Sequence, residues 1–200
     1  VITVDETRNV FSPGSVLING SDIEAVGAGD ELAAGVTSED TIIDGRGKVV
    51  LPGFVSAHNH LGYAVFRGRA EDIGYGPTQR LYMPMNSVIQ REERRDIGSL
   101  AIAELLRGGT TTVLEMEEDA DVFAPFIEQV GMRAAMGIMV NDVDLERLIA
   151  GEIVFDEAQR ERQLSQAVEF AEGWDGRADG RITAVMTANG LGSSSPQLLR

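Results

Sequence analysis

From Leu51 to Arg200, short apolar or β-branched runs alternate with stretches of helical periodicity. No other feature of this 200-residue chain restricts its fold as much. Residues 51–58, Thr110–Leu114, Met132–Val140 and Ile182–Thr187 predict four strands. Between them, Arg91–Arg107 places Ile97, Leu100, Ala101 and Leu105 on one stripe with charges opposite, and Gly108-Gly109 closes it. Asp121–Val130 and Asp156–Trp174 predict two more helices, and Ser195-Pro196 predicts the N-cap and first position of another. Such alternation gives a parallel sheet with right-handed crossovers. Four βα units make half of a closed (β/α)8 barrel, which usually needs about 250 residues. The alternative is a small open doubly wound sheet.

The first fifty residues read differently. Val1–Val4 alternates, Gly14–Gly20 and Ile23–Gly27 flank the tight turn Asn19-Gly20-Ser21-Asp22, and Thr41–Asp44 predicts a last strand. The expected division is a small β-unit over residues 1–50 and barrel units over 51–200. A chain that opens on Val1 without Met and stops inside a predicted helix reads as a piece of something longer.

A net charge of −15 argues against nucleic acid as a partner, because phosphate binding needs basic patches. No apolar run approaches a membrane span and no leader is recognisable, so no membrane partner is expected. The absence of cysteine excludes disulfides, thiolate ligands and a cysteine nucleophile, and it suits a cytoplasmic protein. Gly190-Leu191-Gly192-Ser193-Ser194-Ser195 lacks the lysine of a P-loop and reads as an ordinary βα loop.

His58-Asn59-His60 ends the first barrel strand and holds both histidines of the chain. Residues two apart on a strand share a face, with Cα atoms about 7 Å apart, so both imidazoles can reach one ion. Zinc takes such nitrogens at about 2.0–2.1 Å, but a catalytic zinc has three protein ligands, and the chain holds no third histidine. The letters also match the HNH nucleases, whose residues are spread along a ββα unit; the acidic charge opposes that reading. Glu115 and Glu117 end the second strand on the face where barrel sites form, either lining a pocket or joining Glu118 and Asp119 in a solvated acidic loop. Tyr82, Met83 and Met85 read as an apolar wall or as core, Arg67 and Arg69 as ion-pair residues, and Trp174 as packing.

The run Asp44-Gly45-Arg46-Gly47-Lys48-Val49-Val50-Leu51-Pro52-Gly53-Phe54-Val55-Ser56-Ala57-His58-Asn59-His60, set behind a β-unit, resembles the amidohydrolase superfamily. It is most similar to the branch of cytosine deaminase, S-adenosylhomocysteine/methylthioadenosine deaminases and triazine chlorohydrolases. The resemblance continues through Leu61–Asp72 with Arg67-Gly68-Arg69-Ala70-Glu71-Asp72, resumes at Ala103–Val113, and returns in the fourth strand and Ser195-Pro196. It implies an α/β fold: the first half of a metal-dependent hydrolase (β/α)8 barrel preceded by a small β-sandwich unit. It also implies that His58 and His60 ligate one divalent ion, zinc or iron. The family's other ligands and its general base lie beyond residue 200, so the chain supplies no complete catalyst and no catalytic residue of its own.

The implied reaction is hydrolytic removal of an amino or related group from a nitrogen heterocycle by metal-activated water. A cyclic-amide hydrolase and a non-catalytic binding protein of the same fold are the alternatives. A homo-oligomer is compatible with the sequence. Two departures narrow the substrate. Where adenosine-type members carry an acid in Pro-x-Glu, this chain has Pro84-Met85-Asn86, and where their fourth strand ends in histidine it has Asn189. An amide grips a ribose diol less well than a carboxylate and does not titrate, so Asn86, Asn189 and Glu115 are expected to contact a substrate other than a nucleoside. No lysine lies in Ile182–Asn189 to bridge two metals, which favours a single ion.

Overall fold

The computed structural model describes residues 1–70, 73, 78–86, 88–190 and 192–200. Glu71, Asp72, Leu191 and the side chain of Met83 lie outside that set. The chain forms two compact units, Val1–Gly53 and Phe54–Arg200.

In the first unit, β1 (Gly14–Asn19) and β2 (Asp22–Ala28) pair antiparallel around the Gly20 turn, where φ is +61°. The one-turn helix α1 (Gly29–Leu32) follows. The expected strand at Val1–Val4 reduces to a single bridge, Ile2 with Val10, backed by Ile2 N–H donating to Val50 O at 3.0 Å. Thr41–Asp44 is not a strand: nothing among the described residues pairs with it, and Ile42 and Ile43 are exposed.

The second unit is built on a parallel sheet. Its order, β3 (Phe54–Asn59), β4 (Thr110–Glu117), β5 (Arg133–Val140), β6 (Ile182–Ala184), follows the sequence without reversal. A doubly wound sheet reverses order at a switch point; this one winds steadily in one direction, as a barrel wall does. Helix α2 (Met83–Asn86) and helix α3 (Arg91–Arg107) lie between β3 and β4. Helix α4 (Ala124–Val130) lies between β4 and β5, closed by Gly131 at φ +75°. The predicted start of α4 at Asp121 is instead a 3-10 turn, Ala120–Val122, before Pro125 in the first turn of the helix. Helices α5 (Leu145–Ile149) and α6 (Glu157–Trp174) connect β5 to β6, and Asp156 caps α6 by accepting from Ala158 N and Gln159 N.

Three sequence expectations change in register. Along α3 the buried face is Arg94, Gly98, Ala101 and Ile102, whereas Leu100 is 61% exposed. The stripe turns because Arg94, a charge that patterning assigns to solvent, reaches inward to Asp119 at 3.0 Å. The fourth strand is broken: β6 ends at Ala184 and β7 (Thr187–Ala188) resumes against β5 further along. Between them the Val185 carbonyl is aimed at Gly137, where an added Cβ would stand 1.9 Å from that oxygen, so β5 admits only glycine there. After Ser195 only a turn forms. Ser195 Oγ accepts from Leu198 N at 3.1 Å as an N-cap does, without a helix assigned behind it.

The core joins Ile102 of α3, Val113 of β4, Phe123 at the N-cap of α4 and Ile127 within it, Met136 of β5, Phe170 of α6 and Ile182 of β6. Phe123 lies against Gly98, whose missing Cβ would meet two ring carbons at 2.3 Å. In Gly98→Ala, helix propensity contributes about 1 kcal/mol while overpacking costs about 1–3 kcal/mol. Net destabilisation in urea unfolding is therefore expected, with partial recovery when Phe123→Leu is added; a stabilised Gly98→Ala would refute this packing.

Candidate functional site

An irregularity in β3 shapes the histidine end. Ser56 stands opposite Val113 and Asn59 opposite Glu115, two residues of one face of β4, so β3 fits three steps against two of β4 just where His58 lies. The rings of His58 and His60 stand edge to face with centroids 4.9 Å apart. Two imidazoles sharing one tetrahedral ion at about 2.0–2.1 Å put their centroids about 5 Å apart, so the pair fits a common metal. His60 Nδ1 lies 2.7 Å from the Met116 carbonyl, which can only accept; the ring therefore donates through Nδ1 and leaves the Nε2 lone pair free. Burial holds the His60 pKa below its usual value, opposed by the Met116 contact and assisted by His58, which keeps the ring in its neutral, ligating form.

The loop after β3 starts a 3-10 turn, Leu61–Phe66, with His60 at its N-cap and no local side chain capping it. The first N–H groups of such a turn have no internal acceptor. Glu115 and Glu117, alternating with Val113 on one face of β4, provide one from across the sheet. Leu61 N donates to Glu115 Oε1 at 3.1 Å, Asn59 Nδ2 donates to Glu115 Oε2 at 2.8 Å, and Gly62 N donates to Glu117 Oε1 at 2.8 Å. Both carboxyls are buried, Glu115 completely. Burial raises Glu115 to about 8, with Glu117 adding to the rise and the Asn59 and Leu61 bonds opposing it. Burial likewise raises Glu117 to about 7, with the Gly62 bond and Arg94 opposing and Asp119 and Glu118 adding.

Neither carboxylate is therefore solvated, and Glu115, expected to face a substrate, spends both oxygens on the His58-Asn59-His60 loop. Asn86 is brought close to the histidines: its Nδ2 donates to Tyr63 OH at 3.4 Å, and the Tyr63 ring stacks on His60 at 5.1 Å. Arg94 holds Asn86 by donating to its carbonyl at 2.6 Å. Tyr82 joins the same aromatic group, 4.7 Å from Tyr63 and 5.0 Å from Phe66. Asn189 ends β7, where its side-chain oxygen accepts from Gly190 N at 2.7 Å. Arg67 pairs with Glu104 on the surface, as expected, and Trp174 packs on the core beneath the Arg177 guanidinium.

A cleft of about 450 Å³ opens beside His60, lined among others by Asn59, Tyr63, Arg67, Glu104 and Thr110. It runs back along β3 and takes in none of His58, Asn86 or Asn189, so it is not where the candidate residues meet. Among the described residues, no group of three His, Cys, Asp or Glu side chains is placed to hold a metal.

Sequence reading passed over Asn59, Tyr63, Glu117 as a loop anchor, and Asp142. Asp142 is fully buried, accepting from Ser195 N at 2.8 Å, from Ser195 Oγ and from Arg160 Nη1 at 3.1 Å. Burial raises its pKa, but these three donors outweigh it and leave Asp142 below the usual range. Carrying the alternation of β4 two and four residues past Val113 puts Glu115 and Glu117 on its buried face. Asp142 left no local signal.

The amidohydrolase family pattern matches residues 49–200, so the chain belongs to the amidohydrolase family. A 5-methylthioadenosine/S-adenosylhomocysteine deaminase of Halothermothrix orenii is 28% identical over 204 residues, covering 100% of this chain and 43% of the relative. The fold matches guanine deaminase from E. coli with a TM-score of 0.76 at 24% identity, over 93% of this chain and 41% of that one. It also matches atrazine chlorohydrolase from Arthrobacter aurescens TC1 complexed with zinc, with a TM-score of 0.73 at 15% identity, over 98% and 46%. The second unit is thus the first half of an amidohydrolase barrel, and the chain spans less than half the length of these proteins. No helix among the described residues is long and apolar enough to cross a membrane.

The two raised carboxyls predict a pH dependence. A carboxyl whose folded pKa lies above its unfolded 4.5 binds its proton more tightly when folded. It contributes most stability below that value, and the contribution is lost as pH rises through about 7 and 8. Unfolding free energy should fall by a few kcal/mol between about pH 5 and about pH 9. Glu115→Gln with Glu117→Gln should flatten this trend; an equal slope in that double variant would refute it.

Proposed function

We propose that this chain serves a metal-dependent hydrolase that removes an amino group, or a related leaving group, from a ring carbon of a nitrogen heterocycle. The observation that carries the reading is the His58–His60 pair, with centroids 4.9 Å apart and His60 tautomerically set by Met116 O. His58 and His60 would hold one divalent ion, zinc or iron, through two neutral imidazoles. When bound, such an ion supplies Lewis acidity, which brings the pKa of water down towards about 7. Tyr63, stacked on His60, would exclude water from one side of that ring and orient Asn86 beside it. Asn86 at the end of α2 and Asn189 just after β7 offer amides that can hydrogen-bond a heterocycle. Neither supplies the negative charge suited to a ribose diol, which favours a base-like substrate over a nucleoside. The relative is named for nucleoside-derived substrates, so the substrate preference is where this chain would diverge from it.

With two ligands, the chain by itself would retain metal weakly. A non-catalytic binding protein of the same fold is the second reading. Metal content and ammonia release separate the two. A deaminase carries about one equivalent of zinc or iron per complete protein, releases ammonia from nitrogen heterocycles such as aminopurines or aminotriazines, and loses both in His58→Ala or His60→Ala. A metal-free complete protein with no ammonia release would leave only the binding role.

A further inference from the structure

Three consecutive groups of β4 meet the four residues that carry and follow the second histidine. Glu115 takes Asn59 Nδ2 and Leu61 N, the Met116 carbonyl takes His60 Nδ1, and Glu117 takes Gly62 N. An ordinary turn would satisfy its first N–H groups with a serine, threonine or aspartate at the N-cap. Here the N-cap is His60, whose ring is already committed to Met116 on one nitrogen and free on the other. Capping has therefore moved to a neighbouring strand. Burying two carboxyls side by side is costly, and a loop that needed only a cap would not require it.

Gly62 adds a second, independent observation. A Cβ on Gly62 would stand 2.5 Å from Glu117 Oε2, so the absence of a side chain leaves the seat that the carboxyl occupies. Asn59 adds a third. Its amide nitrogen donates to Glu115 Oε2 at 2.8 Å, and an amide can present either its nitrogen or its oxygen to a carboxyl in either protonation state.

We infer that Glu115 and Glu117 are positioning residues for the metal-binding histidines, clasping the backbone of residues 59–62 so that His60 stays Nδ1-protonated and presents Nε2. This rests on the reading of His58 and His60 as ligands, and it assigns the two carboxyls no contact with substrate. Their effect passes through Leu61 N, Gly62 N and the Asn59 amide to the one ring between them.

The test uses the full 200-residue chain, 15N-labelled, with two separate readouts. Long-range 1H–15N correlation of the imidazole reads the His60 tautomer with no metal added, and cobalt(II) titration followed by visible absorption reads affinity. In the unsubstituted chain, Glu115→Gln and Glu117→Gln, the Nδ1-protonated tautomer is expected to dominate and cobalt affinity to stay within a few-fold. In Glu115→Ala, Glu117→Ala and Gly62→Ala, both tautomers should populate and cobalt affinity should fall about 10- to 100-fold, the usual consequence of losing an outer-shell partner. Gly62→Ala keeps both carboxyls in the chain and displaces only Glu117, so it remains informative where the alanine variants lose their fold. Retention of the Nδ1-protonated tautomer and of full cobalt affinity in folded Gly62→Ala and Glu117→Ala would overturn the clasp. Cobalt binding that survives His58→Ala with His60→Ala would overturn the ligand reading instead, and the metal-free tautomer measurement would still decide the clasp.

Discussion

A buried backbone N–H must find an acceptor, and the loop after β3 has none of its own. Its first N–H groups belong to Leu61 and Gly62, both buried, and the residue at the capping position is a histidine needed elsewhere. Only β4 can answer, which it does with Glu115 and Glu117. The register of β3 against β4 follows from this, since Asn59 must stand opposite Glu115 for the contacts to form. So does the seating of Tyr63 on His60, and through Tyr63 that of Asn86. An unsatisfied buried donor costs about 1–3 kcal/mol, comparable to losing a large part of a core side chain. The arrangement is therefore held by an energy that a loop of this length could not supply from local contacts.

Behind the loop the unit is held by dense packing of a few large side chains, with glycine where two elements come closest. Gly98 admits the Phe123 ring to α3, and Gly137 admits the Val185 carbonyl to β5. The second marks the break in the fourth strand. Val185 N still donates to Met136 O at 3.0 Å, and β7 resumes against β5 in the register that β6 leaves. At the same end, Asp142 gathers Ser195 and Arg160, tying the loop after β7 to the end of β5. Loops following parallel strands thus are anchored twice by buried carboxyls, at Glu115–Glu117 and at Asp142. The two differ in partners: the first receives backbone and amide donors, while the second receives Ser195 N and Oγ together with a guanidinium, and these hold Asp142 below the usual range.

Membership of the amidohydrolase family gives these anchors a setting. In a barrel the strand C-termini direct side chains to one spot, and any displacement of a loop there moves a ligand. The fit of two imidazoles to one ion depends on about an ångström of ring placement, which a frayed loop would not keep. The chain covers less than half of its relatives, and within that share β4 supplies the acceptors that hold the His58-Asn59-His60 loop.

Several features were legible along the chain because their causes are local. The two-residue spacing of His58 and His60 lets their rings meet, at 4.9 Å between centroids, and the alternation of strand and helix calls for a parallel sheet wound in one direction. Gly131 and Asp156 mark helix ends through their own backbone and side-chain chemistry. Other features depend on what a residue meets across the fold. Leu100 is exposed although the pattern placed it inside, because Arg94 has partners in Asp119 and Asn86 that no helical wheel can show. Alternation with Val113 turns Glu115 and Glu117 inward, but their acceptors are used by the N–H groups of a loop more than fifty residues away, which no reading of β4 alone supplies. The sequence by itself determined the nearness of His58 and His60 and the winding of the sheet, since both follow from short-range spacing and alternation, and its motifs carried the likeness to the amidohydrolase family. Tertiary structure alone decided which donors the buried carboxyls receive and where the fourth strand breaks, because those outcomes depend on satisfying hydrogen bonds and filling space between segments distant in the chain.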